Sequence, residues 1–158
     1  MKFRRRAWLI ASALSLLAQR AGAAPSDEAN EQALSADADH AAGLAASKAG
    51  DHARALPHFL AALKRFPDAA NLHNELGYTF RKLGRLDQAF EHYHRALAID
   101  PRHRGAHEYI GEAYLMKGDV ASAEKHLEAL RSICTLPCDE MRDLQAAVDA
   151  HRRRTPVR

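Results

Sequence analysis

The sequence has no apolar run long enough to cross a membrane. Its longest, residues 7–18, is broken by Ser12 and Ser15 and is about 12 residues long, against the ~20 that a spanning helix needs. Phosphate loop, nucleophile elbow and zinc-protease motif are all missing, so nothing in the chain calls for catalysis or a cofactor. Cysteine is scarce: Cys134 and Cys138 are the whole supply. They are separated by three residues, where a thioredoxin-type redox motif has two. Aromatics make up only 6% of the chain, although its overall composition is that of a soluble globular protein.

Acid is missing from the first 23 residues, which carry Lys2, Arg4, Arg5, Arg6 and Arg20. Without that segment the chain holds 18 basic against 20 acidic residues, and Arg152, Arg153, Arg154 and Arg158 are among the 18. The body is therefore mildly acidic, which argues against a nucleic-acid partner. Residues 1–23 read as an export signal: a basic start, the short apolar run, and an A-x-A site at Ala21 and Ala23. Cleavage is expected after Ala23, leaving no stable membrane anchor and placing the mature protein in the periplasm. Arg5-Arg6-Ala7-Trp8-Leu9 also fits a twin-arginine signal, with Arg4 where Ser or Thr is usual. The general secretory and twin-arginine routes both stay open.

What the sequence does have is a ladder. Gly43, Gly77 and Gly111 recur at a period of 34, as do Gly50, Gly84 and Gly118, and Ala55, Ala89 and Ala123. This period marks a helix-turn-helix unit, stacked on itself. The fold class expected is all-α, with repeats at 36–69, 70–103 and 104–137. Residues 24–35 read as a flexible lead-in, 138–152 as a capping helix and 153–158 as a basic tail. In the second repeat Leu72, Leu76, Phe80 and Leu83 keep a helical period, as do Leu86, Ala89, Phe90, Tyr93 and Leu97. Gly84 between them suits a left-handed cap, and Asp100-Pro101 stops the second helix. Gly77 lies mid-helix, where it costs about 1 kcal/mol against alanine, so it needs a packing reason. The expected reason is close approach to the small Ala89 of the partner helix.

These residues resemble the tetratricopeptide repeat family. The second unit carries Leu76-Gly77, Phe80, Ala89, Tyr93, Ala96 and Pro101 at the family's positions. The first keeps Gly43, Ala55, Phe59, Ala62 and Pro67, and the third Ile110-Gly111, Tyr114, Ala123 and Leu127. The third ends in Thr135 in place of proline, and the family's tryptophan is replaced by Asp39, His73 and His107. The resemblance implies a right-handed superhelix whose first helices line a concave groove. Groove-facing residues would be Asp37, His40, Leu44 and Lys48, then Asn71, Asn74, Tyr78, Arg81 and Lys82, then Glu108, Glu112, Leu115 and Met116. This mixed surface suits a peptide or a partner protein. The carboxylate clamp of some family members is not expected, because His40, Leu44, Glu75, Gly105 and Tyr109 occupy its positions.

In an exported chain Cys134 and Cys138 read as a structural disulfide fixing the turn into the last helix. The resemblance extends to exported bacterial members with a similar cysteine pair before an acidic last helix. Redox and soft-metal use of the pair remain alternatives. The ten histidines read as packed or solvated, since His58, His92 and His126 fall on neighbouring helices too far apart to share one ion. The resulting expectation is a non-catalytic interaction scaffold of the cell envelope. Its rivals are a thiol-redox or metal-handling accessory, and an adaptor in envelope assembly or cytochrome maturation.

Overall fold

A computed structural model describes residues 27–154, so the signal segment expected at 1–23 and the last tail residues lie outside it. The described residues form α1 (Asp27–Ser35), α2 (Ala38–Lys48), α3 (His52–Leu63), α4 (Ala70–Lys82) and α5 (Leu86–Ile99). They continue with α6 (Arg104–Met116), α7 (Val120–Ile133) and α8 (Asp139–Arg154), and contain no strand. α2/α3, α4/α5 and α6/α7 are antiparallel pairs, and each pair stacks on the next.

One turn recurs in all three pairs. Gly50, Gly84 and Gly118 have φ of 79°, 74° and 77°. In each case the glycine N–H and the one after it donate back to the helix, as Gly84 to the Arg81 carbonyl and Arg85 to the Phe80 carbonyl. This is a Schellman cap, which gives partners to two carbonyls of the last turn. Asp51 and Asp119 then cap the following helices by accepting from the Arg54 and Ser122 N–H groups.

The mid-helix glycines do face a partner helix, but their neighbour differs from the expected alanine. A Cβ on Gly43 would fall 2.6 Å from the Phe59 ring, and one on Gly77 would fall 2.5 Å from the Tyr93 ring. The glycine thus makes room for a large buried ring, and Ala55 and Ala89 lie in the same core cluster as those rings. In the third unit the ring is replaced by Leu127, and the space over Gly111 is taken by Leu144 of α8, 2.6 Å from where a Cβ would stand.

Two further expectations are revised at the ends. The lead-in of 24–35 is helical from Asp27 to Ser35, because Leu34 gives that segment a buried anchor at 1% exposure. α1 is tied down further by Glu31, whose carboxylate accepts from the Asn71 backbone and side-chain amides at 3.1 and 2.6 Å. The last helix reaches Arg154, so Arg153 and Arg154 belong to it and not to the tail. α8 packs on both α6 and α7 through Leu144 and Val148, taking the place a first helix of a fourth unit would have.

Candidate partner-binding site

α4, α6 and α8 run side by side, and the residues expected to line the groove lie on them, on α2 and at its N-terminal cap. The structure gathers three of these into one cluster. Arg81 forms an ion pair with Glu112 at 2.7 Å and donates to the Tyr93 hydroxyl at 3.3 Å. Its guanidinium also lies over the Tyr78 and Tyr109 rings, 5.4 and 5.5 Å from their centres. The two rings are 5.1 Å apart, and His52 closes on Tyr78 edge-on at 5.5 Å. Only 10% of the Arg81 side chain is exposed, so little water screens these contacts. Burial raises the Tyr93 hydroxyl pKa, and it pushes Tyr109 up to about 12, with Glu108 and Glu75 adding to the latter.

Beside the cluster opens a cavity of 330 Å³. It is lined by the expected Arg81, Lys82, Glu112, Leu115 and Met116, together with Ala147, His151 and Arg154 of α8. Met116 is 55% exposed at its rim, whereas Leu115 is buried among α7 and α8 side chains. The sequence marks α8 first as a cover for the core, and its groove side is the less legible part. The signal was present: Ile110 and Leu144 are one 34-residue period apart, which puts α8 in register with the first helices.

The other expected residues are spread unevenly. His40, Asn74 and Glu108 hold equivalent positions in successive repeats and are all buried. The His40 Nδ1 and Asn74 Oδ1 atoms find no partner. Leu44, Lys48 and Lys82 are exposed. Asn71 is held at the groove edge between Glu31 and His103, and Asp37 is held by Arg65 at 2.8 Å. Cys134 and Cys138 stand at disulfide distance, their Cα atoms 6.0 Å apart at the α7–α8 junction.

The histidines follow a rule that the sequence reading did not find. His73 Nδ1 is 3.0 Å from His92 Nδ1, and His107 Nδ1 is 2.9 Å from His126 Nδ1. His73 and His107 each give Nε2–H to a proline carbonyl, Pro67 and Pro101. In their neutral form their Nδ1 must then accept, so His92 and His126 are the donors. Asp39 and His58 repeat the pairing in the first unit at 3.3 Å. The family's missing tryptophan position is thus filled by a hydrogen-bonded pair. Among the described residues no three His, Cys, Asp or Glu side chains gather as a metal site.

Two tetratricopeptide repeat models match the sequence, one over residues 40–103 and the other over 80–148. The chain belongs to the tetratricopeptide repeat family. Among solved structures similar to this repeat protein is the type III secretion translocator chaperone SycD of Yersinia enterocolitica. The two are 21% identical with a TM-score of 0.64, over 79% of this chain and 91% of that one. The Sgt2 repeat domain of Aspergillus fumigatus is 17% identical with a TM-score of 0.62, over 83% and 80% of the two chains. A point mutant of MamA is 23% identical with a TM-score of 0.58, over 70% and 84%. At these identities the likeness is one of fold. No curated protein sequence matches the chain.

Proposed function

We propose that this tetratricopeptide repeat protein is a non-catalytic scaffold of the cell envelope that holds a segment of a partner protein in its concave groove. The observation that carries this reading is the Tyr78–Arg81–Glu112–Tyr109 cluster beside the 330 Å³ cavity. Aromatic faces, an exposed Met116 and several polar groups converge where three helices meet, as peptide-holding surfaces require. Export is supported by the basic start, the short apolar run and the A-x-A site of residues 1–23. An oxidised Cys134–Cys138 pair belongs to the same reading, because disulfides persist in oxidising compartments.

The test is partner capture from an envelope extract with Tyr78→Ala and Met116→Ala. Both side chains reach the groove, and neither supports the core as Arg81 does. Capture should fall by about tenfold in each variant. Undiminished capture in both would move binding off the groove.

A further inference from the structure

Along the α4–α6–α8 stretch of the groove stand three carboxylates of different exposure: Glu108 buried, Glu75 half-buried and Asp143 exposed. Glu75, Glu108 and Asp143 make no hydrogen bond or ion pair among the described residues. Glu75 and Asp143 occupy equivalent positions on α4 and α8, with Tyr109 at the same position on α6 between them. Glu108 is next to Tyr109 and is 8% exposed. A second observation points the same way. Asn74, beside Glu75 and 6% exposed, has an Oδ1 that meets no donor. Its amide nitrogen lies 3.3 Å from where a Cβ on Gly105 would be, one turn before Glu108.

Two cations near Glu108 are already engaged, and a third, Arg154, lines the cavity beside Met116 at the other end of α6. Arg81 is bound to Glu112 at 2.7 Å, and Arg104 reaches Glu140 at 3.6 Å. Lys82 lies over the Tyr78 ring at 5.3 Å, towards the other end of α4. Arg81 also displays the chemistry of the place: a guanidinium held over two tyrosine rings and paired with a carboxylate. Burying a carboxylate without a partner is costly, and a charge-assisted hydrogen bond from a bound cation removes that cost.

We propose that this stretch of the groove receives a basic segment of the partner, seating a lysine or arginine side chain against Glu108, flanked by Glu75 and Asp143. The proposal rests on the groove reading above and specifies the charge of the occupant. Burial pushes the Glu108 carboxyl up to about 7, with Glu112 of its own helix and Asp143 and Glu140 of α8 adding to it, and Arg81 of α4 opposing. A cation seated there should therefore displace a proton near neutral pH.

The experiment uses the full chain and two labelled extended peptides of equal length and apolar content, one bearing lysines and one glutamates. Fluorescence anisotropy should show the lysine peptide binding about tenfold or more tightly than the glutamate peptide. Glu75→Gln combined with Glu108→Gln should remove that advantage while leaving the folded helix signal intact. Calorimetry in two buffers of different ionisation heat should show proton release at pH 7 that the Glu108→Gln variant lacks. Equal or better binding of the glutamate peptide would overturn the proposal, as would full affinity for lysine in the double variant or no lysine-peptide binding at all. Tyr78→Ala separates the two levels. If it abolishes binding while the glutamine variants do not, the groove stands and the basic occupant fails. If lysine-peptide binding survives Tyr78→Ala, the groove itself is wrong.

Discussion

Gly77 and Gly84 belong to one repeat and are glycine for different reasons. Gly77 is helical, with the Tyr93 ring 2.5 Å from where its Cβ would be. Tyr93 is fully buried, so the ring has nowhere to retreat. Gly77→Ala should therefore lose about 1–3 kcal/mol through overpacking, despite the helix propensity gained. Gly84 has open space around it but a φ of 74°, and Gly84→Ala should cost about 1 kcal/mol through backbone strain alone. Urea unfolding distinguishes them: a companion Tyr93→Leu change should relieve the Gly77 variant and do nothing for the Gly84 variant. Equal response of both variants would refute the packing account. The 34-residue period made both glycines legible in the sequence, because each recurs as the same residue. What each one touches was not legible, since Phe59, Tyr93 and Leu127 vary at the receiving position and Leu144 comes from another helix.

At the scale of the element, α8 carries more than its sequence announced. Leu144 and Val148 are almost fully buried against α6 and α7. Leu144→Ala should destabilise the protein by about 2–5 kcal/mol, because it opens a cavity over Gly111. An oxidised Cys134–Cys138 pair closes a small loop just before α8 and should contribute about 2 kcal/mol at most. Guanidinium unfolding of the wild type with and without reductant, and of Leu144→Ala, should rank the leucine above the bond. The reverse ranking would mean that the junction, and not the packed face, secures α8. The amphipathic pattern of Met141, Leu144, Ala147 and Val148 made the helix itself readable. Its groove side, with Ala147, His151 and Arg154, emerged only with the register of α8 against α6. α1 was unreadable for the opposite reason: a short, polar segment depends on Leu34 and Glu31 finding distant partners.

Across the whole molecule, two kinds of buried titratable group set opposite pH dependences. Burial lowers His92 and His126 to about 4, helped by His73 at the first and by His107, His94 and Lys125 at the second, while Glu91 opposes at His92. An unfolded histidine takes its proton near 6.5, so the unfolded chain binds more protons between those values. Their stabilising contribution is full above pH 6.5 and is lost as pH falls through 4, on the order of 1–2 kcal/mol for each half-buried ring. Glu108 runs the other way. Its folded pKa is raised to about 7, so its contribution is full at acid pH and declines as pH rises from its unfolded value through 7. Stability should therefore peak in mildly acidic to neutral solution. Thermal melts from pH 4 to 8 should show His92→Asn with His126→Asn flattening the acid limb, and Glu108→Gln flattening the alkaline limb. Unchanged limbs in these variants would contradict the assigned protonation states.

The groove as the seat of partner binding is the claim on which the functional account depends. A photo-crosslinking residue at Met116, on the rim of the cavity, tests it against one at Lys125, exposed on the second helix of the same repeat. The account predicts that the basic peptide crosslinks at position 116 and that unlabelled peptide competes this signal away, with no adduct at 125. Adducts at 125 alone, or equal adducts at both positions that resist competition, would contradict it.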